Sequence, residues 1–238
     1  MSTIRSSELR AGVYDKFFTP DLVLKAGIRK LAVEERANSF LVSLPPKSRV
    51  LDLAAGAGCE SLLIEKSGKS AYPLDISRKM LCLQEVTEKN GLDNKDFLSR
   101  RVQGDIFRLP FFDGVFDAAC FFHILELGMT SERESMLTEA GRVLTQKGRL
   151  FIVTEWIPRN ILKVGGQGFV GKEEELIAQS RRFLDSVPIY FEQVRMKKVY
   201  LRKLLERSGF SNISVKRCSS DFSRWSGSSL IFAEAQKS

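Results

Sequence analysis

The chain has 238 residues, 43% of them apolar, and a formal net charge of +8 at neutral pH. This length and apolar content predict one substantial core, and no apolar run reaches the roughly 18 residues that a membrane span needs. The first residues lack the apolar stretch of a signal peptide, and the four cysteines (Cys59, Cys82, Cys120 and Cys218) are far apart, without a Cys-x-x-Cys pair. We therefore expect a cytoplasmic protein with reduced thiols, no disulfide framework and no metal site.

The excess of positive charge favours an anionic partner. A phosphate-bearing small molecule, an anionic membrane surface and a nucleic acid all fit a net charge of this sign. The same excess also serves solubility alone, and both interpretations stay open. The sequence gives no prediction of the oligomeric state.

The predicted elements begin with a helix over residues 20–43, introduced by Thr19-Pro20-Asp21 and ended by Pro45-Pro46. Thr19 suits the N-cap, and proline and an acid suit the first turn. Strands and helices then alternate up to a third, weaker strand. Their predicted ranges are strand 50–53, helix 58–67, strand 70–74, helix 76–90 and strand 97–103.

The alternation continues through the second half of the chain. Residues 115–122 form a near-continuous apolar run, as expected of a strand buried on both faces of a parallel sheet. A helix follows, with Ser131 and Glu134 as its capping box. The remaining predictions are strand 150–154, helix 199–208 and a final strand pair at 212–218 and 228–235. The fold class is therefore α/β: a Rossmann-like, doubly wound sheet of seven strands, mostly parallel, with an antiparallel last strand.

Residues 157–197 interrupt this pattern between strands five and six. Over 156–208 the sequence holds eleven lysines and arginines against six acids. Since the segment follows the carboxyl end of a strand, which is the ligand side of open α/β sheets, we expect a basic helical cap over the site. A solvated helical decoration is the alternative. The whole chain, 1–238, is expected to form a single domain, with residues 1–45 as its N-terminal helical segment.

The most informative motif lies where the first strand ends. It reads Val50-Leu-Asp52-Leu-Ala54-Ala-Gly56-Ala-Gly58-Cys-Glu-Ser61. The glycines let a ligand approach the backbone, and the following helix offers free N–H groups. A dinucleotide fingerprint needs a third glycine where Ser61 stands, which disfavours a dehydrogenase. The pattern resembles motif I of the class I S-adenosylmethionine (SAM) methyltransferases of the small-molecule type, such as the ubiquinone/menaquinone-biosynthesis family, with Ala54 in place of their first glycine.

Further segments support the resemblance. Tyr72-Pro-Leu-Asp75-Ile76 resembles the family's second motif, and Gly104-Asp105-Ile106 with Leu109-Pro-Phe resembles its adenine-recognition signature. The resemblance implies SAM as cofactor, with the Asp75 carboxylate on the ribose hydroxyls and Asp105 at the adenine. Asp52 is expected to support the loop or the ammonium end of SAM. The predicted cofactor-binding residues are Tyr14, Asp52, Ala54, Gly56, Gly58, Asp75, Ile76, Asp105, Ile106 and Phe121.

Two of these residues have plainer interpretations. An aspartate at a strand end, as Asp75 is, often serves only as a helix cap. Tyr14 lies in a Tyr-Asp segment similar to one that folds over the cofactor in the family, but the segment also fits a simple hydrophobic anchor.

The sequence offers one candidate general base. His123 is the only histidine, and it follows the fourth strand on the expected ligand side. Imidazole titrates near neutral pH, so it suits proton transfer from an acceptor, while a role in shaping the pocket is the alternative. Glu155 and Trp156 end the fifth strand and are expected to line the acceptor site, although Glu155 also fits a solvated edge.

These observations predict methyl transfer from SAM by S_N2 displacement to a small, anionic or amphiphilic acceptor. The Asn-Pro-Pro-Tyr motif of adenine methyltransferases is missing, since Phe121-Phe-His123-Ile stands there. Two alternatives remain open: an RNA or protein methyltransferase that binds a polyanion through the basic insert, and a non-catalytic SAM-binding regulator.

Overall fold

A computed structural model describes residues 30–89, 96–125, 128, 130–156, 197–218 and 229–238. Within them the helices are α1 Lys30–Val42, α2 Cys59–Lys66, α3 Arg78–Lys89, α4 Asp96–Ser99, α5 Thr130–Val143 and α6 Lys198–Arg207. The strands are β1 Arg49–Leu53, β2 Ser70–Asp75, β3 Val102–Gln103, β4 Phe116–Phe122, β5 Leu144–Trp156, β6 Phe210–Cys218 and β7 Ser229–Lys237.

The seven strands form one sheet in the order β3-β2-β1-β4-β5-β7-β6. The pairs from β3 to β5 are parallel, and β7 runs antiparallel to both β5 and β6. The predicted fold class is therefore confirmed, including the antiparallel last strand. The order reverses between β1 and β4, and this switch point opens a crevice at the carboxyl ends of the strands.

Helices cover both faces of the sheet. On one face, α5 and α6 bury a cluster that includes Met136, Leu137, Leu201 and Leu204, none more than 1% exposed. On the other face, α1, α2 and α4 pack through Phe40, Ile64 and Phe97 among others. Burial on both faces explains why β4 reads as a continuous apolar run, and it makes the sheet a rigid support for the loops at its edge.

The third strand is the clearest correction. The sequence predicted a strand over 97–103, but residues 96–99 form helix α4 and β3 contains only Val102 and Gln103. Phe97 is fully buried from the helix. A short apolar run fits a buried helical turn as well as a strand, so its periodicity could not separate the two.

Smaller differences concern boundaries. β5 is longer than the predicted 150–154 because it pairs with Phe116 near one end and with Ser229 at the other. α5 begins at Thr130, so Ser131 lies inside the helix rather than at its cap. α1 lies within the predicted helix 20–43, whose first ten residues are outside the described part of the chain, as is nearly all of the 157–197 insert.

None of the helices in the described residues is long and apolar enough to cross a membrane.

Candidate functional site

Four strand ends and their loops define the candidate site. β1 runs into the loop of residues 54–58, β2 ends at Asp75, β3 leads to Gly104-Asp105, and β4 leads to His123. Because these strands are parallel neighbours, their carboxyl ends lie along one edge of the sheet. The predicted motifs, separated by up to seventy residues in sequence, are thereby brought to the same edge.

The loop after β1 has a left-handed backbone at three positions. Ala54, Gly56 and Gly58 have φ angles of 58°, 52° and 82°. A Cβ at Gly58 would lie 2.9 Å from Cγ of Gln84, so only glycine fits there. Ala54 adopts the same backbone region despite its side chain, which costs roughly 1–2 kcal/mol for an L-residue. The loop is therefore a bare, tightly turned backbone at the entry to α2.

Asp75 links the second strand to this loop. Its Oδ2 accepts a hydrogen bond from the Gly56 N–H at 2.8 Å, and its Oδ1 accepts one from the Ser77 N–H at 2.8 Å. The side chain thus orients the loop and holds the backbone directly before α3.

Asp52 is buried beneath the loop. It is 1% exposed, and its Oδ2 accepts the Ser61 hydroxyl at 2.5 Å. Burial raises the pKa of Asp52 to about 8, with smaller contributions from the charges of Glu60 and Asp75, and the Ser61 hydrogen bond only partly opposes this. The carboxyl is therefore protonated at neutral pH, because desolvation disfavours the charged form.

Gln84, on α3, faces the same loop. Its side chain is fully buried, and its Nε2 donates to the Gly56 carbonyl oxygen at 2.9 Å. Gly56 is thus held at both polar groups, its N–H by Asp75 and its C=O by Gln84. The β2–α3 unit as a whole fixes the conformation of the loop.

The segment after β3 forms a second rigid loop. Oδ1 of Asp105 accepts the Phe107 N–H at 3.0 Å, and Ile106 is buried, 8% exposed, in the core. Arg142 of α5 holds the continuation by donating to the carbonyls of Leu109 and Phe111 at 3.0 and 2.9 Å. Hydrogen bonding to Arg142 also lowers the pKa of Glu139, which accepts the Leu109 N–H.

His123 follows β4 in an unusual backbone conformation. Its φ is 55°, and its N–H donates to the Val153 carbonyl at 2.9 Å. The side chain is partly exposed, whereas that of Phe121, two residues earlier, is fully buried in the core. Positive φ values in non-glycine residues cost energy and cluster at functional sites. A bound cofactor could meet Phe121 only through its backbone.

The other predicted residues divide into two groups. Ile76 lies at the β2 end, partly buried, and its carbonyl accepts Gln103 Nε2 at 3.1 Å. Tyr14 and the side chains of Glu155 and Trp156 lie outside the described part of the structure, although the backbone of the latter two ends β5. Among the described residues, no group of three His, Cys, Asp or Glu side chains could hold a metal ion.

Sequence reasoning missed three polar residues around the loop. In the sequence, Ser61 was noted only because it stands where a dinucleotide fingerprint has its third glycine. In the structure its hydroxyl donates a hydrogen bond to Asp52. Ser77 caps α3, with its Oγ accepting the Met80 N–H at 3.0 Å, and a serine directly before a helical pattern could have signalled this. Gln84 lies inside a helix, and no local pattern marks it.

The fold is Rossmann-like, and its loops resemble those of the class I methyltransferases, the class that uses SAM. Residues 51–152 match a protein family described as a methyltransferase domain. This match confirms the resemblance of the motifs to the class I SAM-dependent methyltransferases.

Individual relatives agree with this class. The demethylmenaquinone methyltransferase of Thermotoga maritima is 34% identical over 137 residues, covering 56% of this chain and 54% of the relative. That of Mycobacterium bovis is 30% identical over 151 residues, covering 63% and 58%. The chain thus spans somewhat more than half the length of the curated relatives it matches.

A solved structure has a similar fold. The 1,6-didemethyltoxoflavin-N1-methyltransferase of Burkholderia thailandensis, solved with its substrate and S-adenosylhomocysteine, has a TM-score of 0.65 at 15% identity, covering 100% of this chain and 93% of that one.

Proposed function

We propose that the protein transfers the methyl group of SAM to a small-molecule acceptor by S_N2 displacement. The observation that carries this proposal is the bridge between Asp75 and the Gly56 N–H at the switch point of the sheet. A carboxylate beside a bare glycine backbone supports the proposal, because a nucleoside with an extended tail needs an acceptor for its ribose hydroxyls next to a backbone that it can approach closely.

The electrostatics of the loop suit a cationic ligand. The negative charges of Glu60 and Asp75 both contribute to the raised pKa of Asp52, so two carboxylates lie close to the loop of a chain that is basic overall. SAM supplies a methyl group on a positively charged sulfonium and carries a second positive charge on its amino group. An acidic surrounding favours such a ligand over an anionic dinucleotide.

The chain's own contribution to the reaction is mainly positioning. A displacement in line with the carbon–sulfur bond needs the acceptor atom held at close range, and the rigid strand ends provide this. His123 lies at the β4 end, and its strained backbone is maintained by the Val153 contact. We assign it the role of general base for an acceptor that must lose a proton.

The acceptor is proposed to be a small anionic or amphiphilic molecule held beneath the 157–197 insert, with Glu155 and Trp156 lining its site. The basic composition of the insert supports this, as do the names of the relatives, whose acceptors are demethylmenaquinone and didemethyltoxoflavin. The single-domain organisation and the cytoplasmic location stay predictions.

A labelled-transfer experiment tests this function. The purified protein is incubated with SAM carrying an isotopic methyl group and with metabolite extracts, and products are resolved by mass spectrometry. We expect label in a small molecule. Label only in RNA or protein, with binding that weakens steeply as salt rises, would contradict the acceptor class. Binding of SAM without any labelled product would instead indicate a non-catalytic regulator.

A further inference from the structure

Gln84 occupies a position that folding stability alone does not explain. Its side chain is fully buried, and its Oε1 has no hydrogen-bond partner among the described residues. An apolar side chain of similar volume, such as methionine, would fill the same space without burying the unpaired Oε1, and would lose only the bond to the Gly56 carbonyl. We therefore looked for a role of the amide group in its contacts with the neighbouring loop.

The Gln84 side chain contacts both glycines of the loop. The Nε2 of Gln84 donates to the Gly56 carbonyl at 2.9 Å, and its aliphatic carbons pack where a Cβ at Gly58 would lie. The Gly56 N–H is held separately by Asp75. Without the Gln84 bond, the peptide that follows Gly56 could rotate and turn its carbonyl toward the space a ligand would occupy.

We propose that Gln84 is a positioning residue of the SAM site, which sets cofactor affinity by fixing the Gly56 carbonyl and so pre-organising the loop. The inference rests on the proposed function, since it concerns the same loop and the same cofactor. Gln84 acts through Gly56. It raises the fraction of protein molecules whose loop is in the binding conformation before SAM binds.

Two substitutions test the proposal. Gln84→Met removes the donor at nearly constant volume, and we expect SAM affinity to fall by about twofold to twelvefold, the range of one lost hydrogen bond. The melting temperature of the ligand-free protein should change little, because the loss of the donor to the Gly56 carbonyl is offset by removal of the unpaired Oε1. Gln236→Met is the matched control, since Gln236 also donates from Nε2 to a backbone carbonyl, that of Lys147, at the opposite edge of the sheet.

The second substitution, Gln84→Glu, supplies a pH signature in SAM affinity, which is compared with the melting temperature of the ligand-free variant at each pH. A protonated glutamic acid can donate to the Gly56 carbonyl, whereas a carboxylate is repelled by it. SAM affinity relative to the unmodified protein should therefore fall as the pH rises from 5.5 to 8.5, while the relative affinity of Gln84→Met stays constant.

The outcomes separate this inference from the proposed function. If the unmodified protein binds SAM and both Gln84 variants bind it within twofold at every pH, the positioning role is refuted. A loss of affinity that matches a loss of melting temperature, without the pH signature, also overturns it. If the unmodified protein does not bind SAM, it is the proposed function that fails.

Discussion

Replacing Asp52 by asparagine should change how protein stability depends on pH. The folded protein keeps this carboxyl protonated up to about pH 8, because burial raises its pKa from 3.8. In the unfolded chain the same group ionises near its ordinary pKa. Between these two values unfolding releases a proton, so the free energy of unfolding falls as the pH rises.

The size of this pH dependence follows from the release of one proton on unfolding. Each pH unit in this window removes about 1.4 kcal/mol from the wild-type free energy of unfolding. Between pH 5.5 and 7.5 the total is on the order of 3 kcal/mol, and above pH 8 the dependence ends. Asparagine does not titrate, and it can still accept the Ser61 hydroxyl. The stability of Asp52→Asn relative to wild type should therefore rise by this amount over the same range.

Urea unfolding at several pH values between 5.5 and 8.5, followed by circular dichroism, measures this difference. Glu206→Gln, at an exposed carboxyl on α6, is the control and should show no such trend. A stability difference between Asp52→Asn and wild type that is independent of pH, or that shrinks as the pH rises, would refute the assignment of a protonated Asp52.

Three further predictions concern the loops around the site. Ala54→Gly should raise the free energy of unfolding by about 0.5–1 kcal/mol, because its φ is positive, whereas Ala57→Gly in the same loop should lower it by a similar amount; thermal melts compare the two. His123→Ala should reduce turnover of the labelled-transfer reaction at least tenfold while SAM affinity changes less than threefold, and equal losses would leave it a structural role. Arg142→Met should cost about 2 kcal/mol of stability in denaturant unfolding, since two loop carbonyls lose their donor, and an unchanged midpoint would contradict the clamp.

Much of the fold could be predicted from the sequence because its elements carry strong local signals. The apolar runs of β1 and β4 and the glycine loop between β1 and α2 identify a parallel sheet and its ligand edge without any tertiary information. The prediction of a strand over 97–103 was wrong because Phe97 enters the core from a helix. A short apolar run is compatible with a buried helix and with a buried strand, so the sequence alone does not distinguish them.

The candidate site could be predicted where a local sequence motif marks its residues, and could not be predicted where tertiary contacts bring them together. Asp75 and the glycines are marked by their spacing, and the structure joins them by a hydrogen bond. The contact between Gln84 and Gly56 spans 28 residues and depends on how α3 packs against the loop, which no local pattern encodes. The raised pKa of Asp52 likewise arises from burial, and the burial depends on the tertiary structure around the residue.

The central claim is that the loop after β1, together with Asp75, binds SAM. Isothermal titration calorimetry of SAM into wild type and Asp75→Ala tests it most directly, with circular dichroism confirming that both are folded. We predict one SAM per chain for wild type and an affinity at least tenfold weaker for Asp75→Ala, since the variant loses both the loop bridge and the proposed ribose acceptor. Equal affinity of the two proteins, or no binding by wild type, would contradict the account.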